Sequence, residues 1–121
     1  MVLSHQPHAP QQATPAEAAE MVSAGRAVLV DVREAEEFTA GHPPSAVWLP
    51  LGALSAGGRL PPGAAGRTVL VVCRSGNRSQ QAAVLLAARG VTAVDVTGGM
   101  RAWAEAGLPV VTEDGLHGRV A

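Results

Sequence analysis

Lysine is missing from the sequence and cysteine occurs once, and each scarcity excludes a class of chemistry. All nine basic residues are arginine, so no lysine can form a Schiff base with a carbonyl substrate. The single cysteine, Cys73, cannot form a disulfide within the chain. The net charge is -1, which gives no reason to expect nucleic acid or an anionic membrane as a partner.

Aromatic side chains are also scarce, at 2% of the residues and without any tyrosine. The core is therefore expected to consist of valine, leucine, alanine and methionine. No apolar run is as long as a membrane span, and the N-terminus lacks the basic and apolar stretches of a secretory signal. These absences predict a cytoplasmic location and no membrane partner.

The length of 121 residues, of which 47% are hydrophobic, suits one domain with one core. Residues 1–12 are rich in Gln, Pro and His and have no periodicity, which predicts a flexible tail. Residues 13–111 form the predicted domain, and the polar, glycine-containing residues 112–121 are predicted to be a loose C-terminal tail. His5 and His8 have no acid or cysteine nearby to complete a metal site, and we predict neither a metal nor a cofactor.

Short apolar runs alternate with helix-forming runs through the predicted domain. Strands are predicted at residues 27–31, 46–49, 68–72 and 92–96. Helices are predicted at residues 14–24, 34–40, 79–89 and 100–105. The first helix has a start signal, because Thr14 can cap it and Glu17 can complete a capping box. The alternation predicts an α/β fold with a parallel sheet and helices on both faces.

The single cysteine lies where a predicted strand passes into a predicted helix, and ligands bind at such strand ends in open parallel sheets. The helix N-terminus, Arg74, Arg78 and the backbone N–H groups made accessible by Gly76 would all favour a thiolate and an anion beside it. A lone cysteine after a valine run can also be an inert core residue. The charged residues that follow favour the reactive interpretation, a nucleophile in an anion-binding loop.

Two reactions suit such a loop. Cys73 could attack phosphorus while the arginines bind the phosphate oxygens, or it could attack a sulfane sulfur and hold it as a persulfide. Four residues separate Cys73 from Arg78, one fewer than in cysteine phosphatases. The shorter loop suits one sulfur better than a phosphate, and no acidic loop offers a general acid for a leaving alcohol. A phosphatase or arsenate reductase stays as the less favoured alternative.

Other polar residues lie near the carboxyl end of the 27–31 strand, on the same predicted sheet edge as the cysteine. We interpret Arg33 as forming a structural ion pair with Glu36 or Glu37, rather than as a catalytic group. His42 is interpreted as a structural histidine and not as a general base.

Six segments, in this order, resemble the single-domain rhodaneses, a family of sulfurtransferases. They are DVRE at 31–34, EF with GH at 37–42, AVWLP at 46–50, CRSGNRS at 73–79, GGMRAW at 98–103 and GLPV at 107–110. The resemblance covers residues 14–110 and implies a rhodanese-like α/β fold, with roughly five parallel strands and helices on both faces. Pro43, Ser45 and Met100 depart from the family pattern, and the first two put only a local turn in doubt.

The resemblance implies a sulfurtransferase that takes a sulfane sulfur from thiosulfate or a persulfide donor onto Cys73. The sulfur then passes to cyanide, a thiol or a protein acceptor, which must be external because the chain has no second cysteine. The loop charge resembles that of thiosulfate users, so the expected donor is a small anion. Such a protein would be a monomer or a weak homodimer. A sulfur-relay or regulatory module that docks onto a partner protein is the alternative of another class.

The resemblance also assigns roles to residues around the persulfide carrier, Cys73. The residues implied to bind the anion and the outer sulfur are Arg74, Ser75, Gly76, Asn77, Arg78 and Ser79. Asp31 and Arg33 match a pair that shapes the site from the neighbouring strand.

Overall fold

A parallel sheet of five strands organises the computed structural model, which describes residues 11–121. The strands are β1 (Gln11–Ala13), β2 (Ala27–Asp31), β3 (Val47–Trp48), β4 (Thr68–Val72) and β5 (Ala93–Val96). Their order across the sheet is β1-β5-β4-β2-β3, and every pairing is parallel. The central strand is β4, so the residue that follows it lies in the middle of the carboxyl edge.

Five helices connect or flank the strands. They are α1 (Pro15–Ser23), α2 (Ala35–Ala40), α3 (Leu51–Ser55), α4 (Asn77–Ala88) and α5 (Gly99–Glu105), and a short 3-10 helix covers Pro62–Ala64. The capping box predicted for α1 is present, since the Thr14 side chain accepts from the Glu17 N–H and the Glu17 carboxylate accepts from the Thr14 N–H. None of the helices within residues 11–121 is both long and apolar enough to cross a membrane.

Hydrophobic packing covers both faces of the sheet, because alternate residues of a strand point to opposite sides. On one face Leu70 and Val72 pack with α1 and α5, whose buried side chains include Trp103. On the other face Val69 and Val71 pack with α3 and α4. These four side chains of β4 are completely buried, and burial of each contributes about 1.5–3 kcal/mol. The predicted α/β fold with helices on both faces is confirmed.

The chain outside this core differs from the expected tails. Gln11 and Gln12, assigned to the N-terminal tail, form β1 beside β5, and residues 1–10 lie outside the described part. Residues 112–121 are held rather than loose: the Gly118 N–H donates to the Val110 carbonyl (2.8 Å) and the Arg119 N–H to the Ala40 carbonyl (3.0 Å). The polar composition of residues 112–121 could not predict this ordered segment, because backbone groups rather than side chains form the hydrogen bonds that hold it.

We predict that Gly41→Ala displaces this C-terminal segment. A Cβ at Gly41 would lie 2.6 Å from the Arg119 nitrogen, although its φ of 169° suits any residue. The amides of Gly118 and Arg119 should therefore exchange with solvent faster in the variant, as measured by hydrogen exchange. Gly52→Ala, where a Cβ meets nothing within 4 Å, is the matched control. Unchanged exchange in Gly41→Ala would show that the segment is not held at this contact.

Candidate functional site

Cys73 directly follows β4 and is 1% exposed. The loop after it folds back over its own sulfur, because Gly76 has a φ of 114° that few side chains tolerate. The Gly76 N–H donates to Cys73 Sγ at 3.0 Å, and the Ser79 hydroxyl oxygen lies 3.2 Å from the same sulfur. The structure thus brings together three of the predicted site residues around one sulfur atom.

Helix α4 begins at Asn77, two residues earlier than predicted, with Gly76 in the left-handed region before it. The first N–H groups of a helix have no partner within it and carry partial positive charge. The first N–H groups of α4 directly follow the cysteine loop, so the backbone supplies hydrogen-bond donors near the sulfur. Within residues 11–121, no cationic side chain is hydrogen-bonded to this sulfur.

Besides the cysteine sulfur, the Ser79 hydroxyl contacts the buried carboxyl of Asp95, a residue that the sequence analysis did not predict at the site. The Ser79 hydroxyl donates to Asp95 Oδ1, and the amide of Gln12 lies 3.4 Å from Asp95 Oδ2. Burial raises the pKa of Asp95, and the hydrogen bonds from Ser79 and Gln12 oppose that rise. A signal was present, since Asp95 is the only polar residue of β5, a strand adjacent to β4.

Arg78 binds Glu37 of α2. Its two terminal nitrogens donate to the two Glu37 oxygens at 2.7 and 2.8 Å. The hydrogen bonds from Arg78 hold the pKa of Glu37 at about 2, below its ordinary value, and the same contact raises the pKa of Arg78. The expected pairing of Arg33 with Glu36 or Glu37 is therefore wrong, because Glu37 faces the cysteine loop.

Asp31 and Arg33 bind each other at the end of β2. Both are completely buried, and Arg33 donates to the two carboxylate oxygens at 2.9 and 2.7 Å. Arg33 also donates to the Gly41 carbonyl (2.8 Å), while its own carbonyl accepts from the Trp48 indole (2.8 Å). In register Asp31 lies beside Val72, one residue before the cysteine. This pair fixes the chain around the site without a hydrogen bond to the sulfur.

The remaining predicted residues of the cysteine loop are at the surface. Arg74, Ser75 and Asn77 are exposed, and Arg74 Nε donates to the Ala121 carbonyl at 2.9 Å. His42 is buried, its Nδ1 lies 2.7 Å from the Phe38 carbonyl, and its ring stacks on that of Phe38. These contacts agree with the structural interpretation of this histidine.

The start of α5 packs against the back of the cysteine loop. The Met100 N–H donates to the Cys73 carbonyl (2.7 Å) and the Arg101 N–H to the Arg74 carbonyl (3.0 Å). Gly99 makes this approach possible, since a Cβ there would lie 2.5 Å from the Cys73 carbonyl oxygen. The position of the loop is therefore set from both sides, by α4 in front and α5 behind.

The Gly76 N–H donates to Cys73 Sγ, and the Ser79 hydroxyl oxygen lies beside the same atom. A backbone N–H directed at sulfur favours negative charge on that atom or on a group bound to it. Within residues 11–121, no group of three or more His, Cys, Asp or Glu side chains is placed to hold a metal ion.

Comparison with known proteins gives consistent results. A family model described as a rhodanese-like domain matches residues 14–106. A protein of Allochromatium vinosum named sulfurtransferase is 38% identical over 89 residues, which cover 73% of this chain and 81% of that protein. An uncharacterized protein of Synechocystis is 44% identical over 85 residues, covering 69% of this chain, which therefore spans under half (46%) of that relative's length.

A solved structure has the same architecture. The rhodanese-related protein of Thermoplasma volcanium superposes with a TM-score of 0.72 at 30% sequence identity. The superposition covers 85% of this chain and 99% of that one.

Gly99→Ala should lower the free energy of unfolding by more than the strain of placing alanine at a positive φ. Gly25 is the matched control, because its φ of 73° resembles the 61° of Gly99 but a Cβ there meets nothing within 4 Å. We expect Gly25→Ala to lower the free energy of unfolding by about 1 kcal/mol. Gly99→Ala should cost roughly 1–3 kcal/mol more, from overpacking against the loop. Urea denaturation measures both, and equal losses would contradict the close approach of α5.

Protonation of Glu37 should weaken the fold at low pH. Because the pKa of Glu37 is about 2 in the folded protein and ordinarily near 4.5, the ion pair contributes fully above pH 4.5. That contribution is lost as the pH falls from 4.5 toward 2. We expect the free energy of unfolding to depend less steeply on pH over this interval in Glu37→Gln than in wild type. The exposed neighbour variant Glu36→Gln is the control, and the same slope in both variants would refute the pairing.

Proposed function

The chain belongs to the rhodanese-like domain family, and we propose that it is a sulfurtransferase that carries a sulfane sulfur as a persulfide on Cys73. The observation that carries the proposal is the environment of Cys73 Sγ, which meets the Gly76 N–H at 3.0 Å and the Ser79 hydroxyl at 3.2 Å. The name of the Allochromatium vinosum relative supports the same class of reaction.

In the first half-reaction, the Cys73 thiolate attacks the outer sulfur of thiosulfate or of another sulfane donor. A bond forms between the two sulfurs, the sulfur–sulfur bond of the donor breaks, and sulfite leaves when thiosulfate is the donor. The N–H groups of residues 74–79 then bind the outer sulfur of the persulfide. The Gly76 N–H already donates to Cys73 Sγ and orients it for this attack.

In the second half-reaction, cyanide or a thiolate attacks the outer sulfur and the Cys73 thiolate leaves. The acceptor is external, since Cys73 is the only cysteine of the chain. The acceptor can be a small molecule or a thiol of another protein.

The arginines support sulfur transfer over phosphoryl transfer. Phosphoryl transfer needs guanidinium groups free to bind the phosphate oxygens. Arg78 is bound through two hydrogen bonds to Glu37, so it holds the loop against α2 and is not free. Arg74 is exposed at the loop and attracts an anionic donor once it leaves the Ala121 carbonyl.

Mass spectrometry after incubation with thiosulfate tests the persulfide directly. We expect wild type to gain one sulfur on Cys73 that cyanide removes, and Cys73→Ser to gain none. Absence of the adduct in wild type would refute the proposal. Turnover of an aryl phosphate that disappears in Cys73→Ser would favour the phosphatase alternative instead.

The role of Arg74 has its own test. Arg74→Ala should slow sulfur loading by roughly tenfold at low ionic strength, through loss of attraction for the anionic donor. Arg26→Ala removes the same charge from an exposed position at the opposite, amino edge of β2, and it should load at the wild-type rate. Equal sulfur-loading rates for the two variants would show that Arg74 does not attract the donor.

A further inference from the structure

Asp95 is a buried carboxyl that persulfide chemistry alone does not explain. It is 1% exposed and lies on β5, between β1 and β4. A buried carboxylate is costly unless a cation or several donors compensate it. Within residues 11–121, the groups hydrogen-bonded to Asp95 are both neutral, the Ser79 hydroxyl and the Gln12 amide.

The Ser79 hydroxyl connects this carboxyl to the cysteine. Its oxygen lies 3.2 Å from Cys73 Sγ and is also hydrogen-bonded to Asp95 Oδ1. A hydroxyl carries one proton, so when it donates to one neighbour it can accept from the other. Two arrangements satisfy all three groups. Either the Cys73 thiol donates to Ser79 and Ser79 to the Asp95 carboxylate, or protonated Asp95 donates to Ser79 and Ser79 to the Cys73 thiolate.

We propose that Asp95 takes up the proton of the Cys73 thiol through the Ser79 hydroxyl when the thiolate forms. The S–H bond breaks and its electron pair stays on sulfur. Ser79 accepts that proton while it passes its own to Asp95, where a new O–H bond forms. Two protons move in concert, the net result is the transfer of one proton from sulfur to Asp95, and the total charge of the cluster does not change. Asp95 is a positioning residue, since it acts through Ser79 and does not touch the reacting sulfur.

The other charged groups around the cluster do not replace Asp95 in this role. Arg78, from α4, interacts electrostatically with Cys73, but its guanidinium is bound to Glu37 of α2. Arg74 is exposed and bound to the C-terminal residue. From β1 only the neutral Gln12 amide reaches Asp95. Burial raises the pKa of Asp95, which makes its carboxylate a better proton acceptor, in agreement with the geometry.

Coupling of this kind has a signature in the pH dependence of cysteine reactivity. When two linked groups share one proton, a constant fraction of the thiolate exists over the pH interval between their two titration steps. Alkylation of Cys73 by iodoacetamide, an uncharged reagent, should then rise in two steps separated by a plateau. A cysteine without a linked acceptor gives one step, and below the pH of that step its alkylation rate falls about tenfold per pH unit.

The experiment compares the alkylation profiles of wild type, Asp95→Asn, Ser79→Ala and Ser79→Thr. We expect two steps in wild type and one step in Asp95→Asn and Ser79→Ala. Ser79→Thr keeps the hydroxyl and should restore the plateau, which a merely structural role would not predict. A single step in wild type, or a plateau that survives in Ser79→Ala, would overturn the proposal.

A second measurement does not depend on whether the Asp95 and Ser79 variants fold. The ¹³C resonance of the Asp95 carboxyl should titrate in two steps in wild type and in one step in Cys73→Ser. One step in both proteins would refute the coupling. As part of sulfur transfer the inference rests on the proposed function, but neither measurement uses a sulfur donor. A missing persulfide with a two-step profile would refute the proposed function alone, and the reverse result would refute the proton transfer alone.

Discussion

The Gly76 N–H donates a hydrogen bond to the Cys73 sulfur across 3.0 Å, and the conformation of the cysteine loop is defined by this contact. The loop can return to its own first residue because Gly76 has a φ of 114°. The same turn starts α4 at Asn77, which places Ser79 in its first turn with the hydroxyl beside the sulfur. One backbone conformation therefore places an N–H donor and a hydroxyl group beside the same atom, and α5 supports the loop from behind through Gly99.

Charge around the sulfur follows from how each arginine is bound. Arg33 is paired with the Asp31 carboxylate and Arg78 with the Glu37 carboxylate, so each guanidinium already has an anionic partner other than the sulfur. In the proposed function, the negative charge of a Cys73 thiolate or persulfide would therefore be stabilised mainly by backbone N–H and hydroxyl groups. Such donors bind a small sulfur anion without adding a strong phosphate site. The buried Asp95 fits the same environment, as a group that can be neutral when the sulfur is charged.

Local patterns predicted the parts of the molecule that depend on local physics. The valine-rich run before Cys73 indicated a buried strand, and Thr14 with Glu17 indicated the start of α1. The contacts that were missed join residues far apart in the chain, such as Glu37 with Arg78 and Gln12 with Asp95. Nothing in the residues near Arg33 distinguished Asp31 from Glu37 as its partner. That choice depends on which side chains the fold buries, which only the packed sheet and helices determine.

The most direct test of the account is a crystal structure of the protein after reaction with thiosulfate. The account predicts a second sulfur bonded to Cys73 Sγ, with the backbone nitrogens of residues 74–79 within about 3.5 Å of it. It also predicts that Arg78 stays on Glu37, because both carboxylate oxygens of Glu37 already accept from its guanidinium. An unmodified Cys73, or an outer sulfur directed away from the loop amides, would contradict it.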